Sequence, residues 1–257
     1  MMTAAPVGLA PTFHAPRPGA VALPGEDDAP AVSALGLRRV ALFADLSDPQ
    51  LASVARLCAW RHVEAGQTID RCATGAVVAV VQGRVRISTV GAHGRELALA
   101  DHAAGSCFGV VHLFDRAPVT LSAVALESGL LARIPHADFL ALLRAEPRVA
   151  ERVVREMGAV VQRMARRVID LGTLGMASRL HTRLLALAQA AGIEGNQAIL
   201  SPAPRHADLA STVATTREEI TRELSRLTRE GLLAKEGRTL VLRDVAALRA
   251  RVAAARH

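Results

Sequence analysis

Apolar positions change their period twice along the chain, and the changes mark out its elements. Residues 1–34 are rich in Pro, Ala and Gly without a sustained apolar period, and they read as a weakly ordered arm. Leu37, Val40, Leu42, Phe43 and Leu46 then mark the apolar face of a short helix. Asp48 as cap and Pro49 in the first turn open a second helix through Leu51, Val54 and Leu57. From Arg61 to Ile134 the pattern is that of strands. Short β-branched runs at 62–63, 67–69, 76–81, 84–90, 95–99, 119–126 and 129–134 are punctuated by Gly66, Gly75, Gly83, Gly91, Gly94 and Gly105. Val85, Ile87 and Thr89 alternate with Arg84, Arg86 and Ser88, so one face is buried and the other wet. Many short strands with frequent turn signals predict an antiparallel sandwich, barrel or roll.

After Pro135 the period becomes helical. Residues 138–143 make a short element, and Pro147 starts a long amphipathic stretch reaching Gly172. Val153, Met157, Val160 or Val161, Met164, Val168 and Leu171 recur there at spacings of three and four, with Arg152, Arg155, Arg163, Arg166 and Arg167 between them. So long a stripe needs another domain face or an identical helix from a second subunit to cover it. Its position between two domains favours the second subunit, which makes Val153, Met157, Val161, Met164, Val168 and Leu171 the candidate dimer residues. Residues 174–190 form another helix with Leu180, Leu184 and Leu187 on one side, and 196–204 hold turn residues and a short extended piece.

The final part reads helix, turn, helix, hairpin, helix. Arg205 to Val213 is a short helix, Ala214 and Thr215 make a tight turn, and Thr216 caps a helix from Arg217 to about Arg229. Glu219, three residues after Thr216, completes a capping box. Ile220, Leu224 and Leu227 face inward, and the opposite face presents Arg217, Glu218, Thr221, Arg222, Ser225 and Arg226. Such a helix fits the DNA major groove: arginine can donate paired hydrogen bonds to guanine, and glutamate can accept from cytosine. Arg217, Glu218 and Arg222 are therefore candidate base readers, with Thr216, Thr221, Ser225 and Arg226 as further contacts. Gly231 ends the helix, and residues 235–238 form the turn of a small β-wing where Lys235 and Arg238 can meet phosphates. Asp244 caps a last helix through Val245, Leu248 and Val252.

Composition narrows the possibilities. Hydrophobic residues make up 51% of the 257, but aromatics only 2% with no tyrosine, which disfavours a stacking platform for single-stranded nucleic acid. The net charge is +7, and residues 175–257 carry 13 basic against 8 acidic groups, which suits a polyanionic partner. Cys58, Cys72 and Cys107 are too few and scattered for a disulfide framework. With no run of 18 apolar residues and no leader-like start, the expectation is a cytoplasmic protein without a membrane partner. No nucleophile–base pair, metal-ligand spacing or phosphate-cradling glycine loop stands out, so no catalytic residue and no metal ligand is assigned and an enzyme is not expected.

The stretch from about Leu42 to Leu248 resembles the catabolite-activator/FNR (CRP/FNR) family of bacterial transcription regulators. The most specific part is Thr216-Arg217-Glu218 followed by Arg222, Leu224, Leu227, Glu230-Gly231-Leu232 and the hairpin. The resemblance implies an α+β fold: a cyclic-nucleotide-binding-like β-roll of jelly-roll type (35–146 with flanking helices), a dimerisation helix (147–172) and a winged helix-turn-helix (173–257), after an arm at 1–34. It implies a homodimer on near-palindromic double-stranded DNA, with RNA polymerase as a further partner.

The β-rich segment also resembles the family's effector domain through Gly66, Gly75, Gly83-Arg84-Val85, Gly94-Arg95-Glu96 and Gly105-x-x-Phe108-Gly109. In cyclic-AMP-binding members a glutamate for the ribose follows Phe-Gly, and an Arg-Ser or Arg-Thr pair holds the phosphate. Here Val110 and Val119-Thr120 stand at those positions, and valine supplies neither acceptor nor charge. Phe108, Gly109, Val110, Val119 and Thr120 are the candidate pocket residues, with the family's cyclic-AMP mode expected to be lost. Residues 1–57 contain no cysteine, against the family's iron–sulfur cluster. Heme stays open, with Cys107 and His112 as ligand types and His62, His93 and His102 nearby, as does a thiol redox sensor at Cys72 or Cys107. A ligand-binding module acting through protein contacts is the alternative function.

Overall fold

The computed structural model describes residues 34–70, 75–91, 94, 96–113 and 121–255. Residues 1–33 of the expected arm lie outside them, as do Cys72, His93, Val119 and Thr120. Helix α1 (Ala34–Arg38) and a 3-10 turn at Ala41–Phe43 precede α2 (Asp48–Leu57). The cap of α2 is Ser47 rather than the expected Asp48. The Ser47 N–H donates to Gln50 Oε1 at 2.8 Å in a capping box, and Asp48 falls inside the first turn beside Pro49.

The strands that follow are β1 (Ala59–Val63), β2 (Thr68–Asp70), β3 (Ala76–Val80), β4 (Arg84–Val90), β5 (Glu96–Ala103), β6 (Cys107–Phe108), β7 (Ser122–Glu127) and β8 (Gly129–Pro135). They pair antiparallel in two sheets ordered β1-β8-β3-β6 and β2-β7-β4-β5. Every residue of β3 is buried. Side chains alternate across a strand, so Val78 and Val80 enter the core between the sheets with Val63, Val85, Ile87 and Phe108. Val77 and Ala79 face a second core against the helices, with Leu37, Phe43, Leu51 and Phe139. The unbroken apolar run of β3 thus records burial on both faces.

Helix α3 (His136–Ala145) leads into α4 (Pro147–Thr173), whose 27 residues span about 40 Å. The first turns of α4 deliver Val149 and Val153 to the helix-side core, and Met157 packs against it. This corrects the candidate dimer stripe. Val153, at 4% exposure, is covered by the chain's own β-roll, and Met157 is half-buried there. Farther along, Val154, Val161 and Val168 stand 67–69% exposed at intervals of seven, with Leu171 at 40% and Met164 half-buried. The open apolar face is therefore rotated by one residue at its start.

Helices α5 (Met176–Ala191), α6 (His206–Val213), α7 (Arg217–Arg229) and α8 (Val245–Ala254) enclose a third core with strands β9 (Ala198–Leu200), β10 (Leu233–Glu236) and β11 (Thr239–Leu242). Leu180, Leu184, Leu209, Ile220, Leu227 and Leu248 fill it. The short extended piece expected within 196–204 is β9, and its pairing with β11 turns the hairpin into a sheet ordered β10-β11-β9. Asp244 caps α8 by accepting from the Ala247 N–H at 2.8 Å.

Candidate nucleic-acid interface

The turn between α6 and α7 fixes how α7 is presented. Ala214 adopts φ 57°, ψ 58°, a left-handed conformation that reverses the chain direction after α6. Thr216 then caps α7: the Glu219 N–H donates to Thr216 Oγ1 at 3.3 Å, and Glu219 Oε2 accepts from the Thr216 N–H at 3.3 Å. The capping box read from Thr216 and Glu219 is present. The Thr215 hydroxyl also donates to Glu219, and this bond, with those from Thr216, holds the Glu219 carboxyl below the usual carboxylate range.

Burial of Ile220, Leu224 and Leu227 sets the rotation of α7 about its axis. Arg217, Glu218, Thr221, Arg222, Ser225 and Arg229 consequently lie along one open strip. Arg217, Glu218 and Arg222 are exposed, and their side chains make no hydrogen bond or ion pair with any described residue. Thr221 is exposed too, but its hydroxyl donates to the Arg217 carbonyl at 2.9 Å and meets His206 Nδ1 at 2.8 Å. The hydroxyl hydrogen is used on Arg217, so His206 supplies the other N–H, tying the start of α6 to α7.

Arg226 is engaged within the protein. Expected as a DNA contact, it donates from Nε and Nη2 to Glu223 at 2.8 and 2.6 Å and from Nη1 to Glu230 at 2.8 Å. Arg229, which sequence reasoning left out, occupies the strip instead. The signal was available in the spacing: Glu223, Arg226 and Glu230 stand three and four apart, where helix side chains meet. Glu223 was also missed. It sits on the buried stripe between Ile220 and Leu227, 7% exposed, and faces His181 of α5.

The wing differs by one register position from expectation. Glu236 pairs with Thr239, so Gly237 and Arg238 alone form the turn, and Lys235 lies within β10 opposite Leu240. Gly237 has φ +59°, as a two-residue hairpin turn requires. Lys235 and Arg238 are both exposed.

Of the candidate pocket residues of the β-roll, Phe108, Gly109 and Val110 are among the described residues. Phe108 packs between the sheets and its ring lies 5.5 Å from that of His102, while Val110 belongs to the helix-side core with Leu113, Val149 and Val153. Gly109 joins them at φ +88°, where an added Cβ would stand 2.5 Å from the Ala76 carbonyl oxygen. The glycine thus serves close packing on β3, and the apolar setting of Val110 does not fit the hydroxyl-binding role of a cyclic-nucleotide site. Cys107 is buried, and burial first of all pushes its thiol up, so the thiolate needed for redox sensing or heme ligation is disfavoured. His62 on β1, His102 on β5 and His112 after β6 belong to separate elements. Among the described residues no three His, Cys, Asp or Glu side chains are grouped to hold a metal ion, and no described helix is long and apolar enough to cross a membrane.

Comparison with known proteins bears on both halves. A family model described as a cyclic nucleotide-binding domain matches residues 60–146, and one described as a Crp-like helix-turn-helix domain matches residues 178–251. The chain is 30% identical over 176 residues to the cyclic AMP receptor protein of Thermus thermophilus, covering 67% of this chain and 77% of that protein. It is 27% identical over 200 residues to the probable transcriptional regulator flp of Lacticaseibacillus casei, covering 77% and 90%. Its fold is similar to the structure of the c-di-GMP responsive global regulator CLP of Xanthomonas campestris, with TM-score 0.67, 22% identity and coverage of 76% and 99%. The β-roll, long helix and winged helix-turn-helix follow one another here as those matches require, and the chain belongs to the CRP/FNR family of DNA-binding transcription regulators.

Proposed function

We propose that the protein acts as a homodimer on a near-palindromic duplex, each α7 lying in a major groove with Arg217, Glu218 and Arg222 on base edges. The observation that carries this is the open strip of α7. Among the described residues the guanidinium groups of Arg217 and Arg222 have no hydrogen-bond or ion-pair partner, whereas Arg226 on the same helix is committed to Glu223 and Glu230. Thr216, Thr221 and Ser225 flank the readers, and Arg229, Lys235 and Arg238 supply phosphate contacts that set register. The twofold is made along α4, where Val154, Val161 and Val168 repeat at the seven-residue interval of a helix pair, with Met164 and Leu171 beside them.

Cyclic AMP in the ribose-and-phosphate mode is no part of this function, because Val110 is an apolar core residue where that mode needs an acceptor. Selection of bound duplexes from a random pool, with native mass recorded on the same preparation, tests the proposal. A twofold-symmetric consensus bound by a dimer is expected, with affinity unchanged by cyclic AMP. Binding without sequence preference, or as a monomer, would overturn it.

A further inference from the structure

Helix α6, the first helix of the DNA-reading pair, is held at both ends by arginines from other elements. At its start, Arg86 of β4 donates from Nη1 to Asp208 Oδ1 at 2.8 Å. The same guanidinium donates from Nε and Nη2 to the two oxygens of Asp101 on β5, at 2.8 and 3.0 Å. Only 8% of the Arg86 side chain is exposed. A cation so far withdrawn from water needs full pairing, and it has two carboxylates, one in the β-roll and one on α6. Arg183 of α5 adds a second cation to the group, 3.7 Å from Asp101.

At the other end, the last carbonyls of a helix have no partner within it. Arg167 of α4 donates to the Thr212 carbonyl at 3.2 Å, and Arg179 of α5 donates to the Val213 carbonyl at 2.9 Å. Asp208 thus lies in the first turn of α6 and two cations at its end, the arrangement the helix dipole favours. Arg86 comes from the β-roll and Arg167 from the long helix, so the two elements beyond the reader each grip α6 through one guanidinium. Through Ala214 and the His206–Thr221 contact, the placement of α6 sets that of α7.

We infer that Arg86, with Asp208, and Arg167, with the Thr212 carbonyl, are positioning residues for DNA reading, fixing the orientation of the recognition helix against the β-roll and α4. This rests on the dimeric reader proposed above. Two readers joined through α4 gain from the second half-site only if the second reader is already correctly aimed; loosening each reader removes that gain and leaves single half-site binding intact.

The test uses the full-length protein, the duplex selected by it, and the same duplex with one half-site scrambled. Two variants are compared. Asp208→Ala removes the Nη1 partner but leaves Arg86 its two bonds to Asp101, so the β-roll's buried cation keeps one carboxylate. Arg167→Ala breaks the grip from α4. The first variant makes the protein more positive and the second less, so a general charge effect would move their affinities in opposite directions. Both are expected to bind the two-half-site duplex roughly tenfold or more weakly, with half-site affinity nearly unchanged. Wild-type affinity of both variants for both duplexes, equal losses on both, or tighter binding to the full site would overturn the inference. If the unmodified protein itself does not prefer the full site, the dimeric reader fails instead.

Discussion

His181 of α5 and Glu223 of α7 meet at 2.6 Å between Nε2 and Oε1, with side chains only 5% and 8% exposed. An ionised carboxylate only accepts, so Nε2 carries the hydrogen. Arg226 from α7 also pairs with Glu223, and Arg251 from α8 pairs with Glu230, which brings two guanidinium groups near the buried imidazole. Burial chiefly pushes His181 below the ordinary imidazole value, against the pull of Glu223, while Arg226 and Arg251 act in the same direction as burial. Glu223 is held low mainly by Arg226 and secondarily by His181.

Both groups make the reader acid-sensitive. The unfolded chain takes up a proton at His181 below about pH 6.5, whereas the folded chain resists it, so stability falls with pH from there. The contribution of Glu223 is present above the ordinary carboxylate range and is lost as the pH drops through its lower folded value. Urea midpoints of the wild type should decline between pH 7.5 and 5, and His181→Gln should flatten that decline. An equal slope in the variant would remove His181 from the account.

Two arginines one turn apart on α7 should separate binding from stability. Arg222→Ala should weaken specific duplex binding by about 1–3 kcal/mol without moving the unfolding midpoint. Arg226→Ala leaves the buried Glu223 short of a partner and should lower stability by roughly 1–3 kcal/mol, with a smaller effect on base specificity. Denaturation curves and affinities for consensus and mutated duplexes distinguish the two. Reversed roles would contradict the geometry.

Val161→Asp and Val153→Asp test the face of α4. The first charge lands on the open apolar stripe and should convert the dimer into a folded monomer, visible in native mass with an unchanged circular dichroism spectrum. The second lands in the core at 4% exposure and should unfold the β-roll. A dimeric Val161→Asp protein would exclude this stretch of α4 as the interface.

Glycine is required more strictly at Gly109 than at Gly66. Both have positive φ, +88° and +85°, but only at Gly109 would a Cβ meet backbone, 2.5 Å from the Ala76 oxygen. Gly66→Ala should cost about 1–2 kcal/mol of backbone strain alone, and Gly109→Ala roughly 2–4 kcal/mol because the contact with β3 must also open. Chemical denaturation of the two variants measures the difference. Similar losses would mean that β3 gives way easily.

Much of this protein was legible in the linear order of residues because the relevant physics is local. The capping box at Thr216 and Glu219, the cap at Asp244 and the outward Arg217, Glu218 and Arg222 depend on neighbours within a few residues, and so does the strand at 84–90, although Arg86 and Ser88 on its expected wet face are buried. Local rules also misplaced small things, such as the α2 cap, where Ser47 and Gln50 together prevailed over Asp48.

Tertiary structure alone decided what each outward or inward position meets. Periodicity put Val153 and Val161 on one stripe, but the β-roll covers the first and leaves the second open. It put Arg226 with the readers, where buried Glu223 draws it away. It left Arg86 on the wet face of β4, yet α6 packs there and supplies Asp208 from 122 residues away. Alternation along a strand or helix reports only that a side chain leaves the local core. Which distant element then covers it is set by how the cores stack.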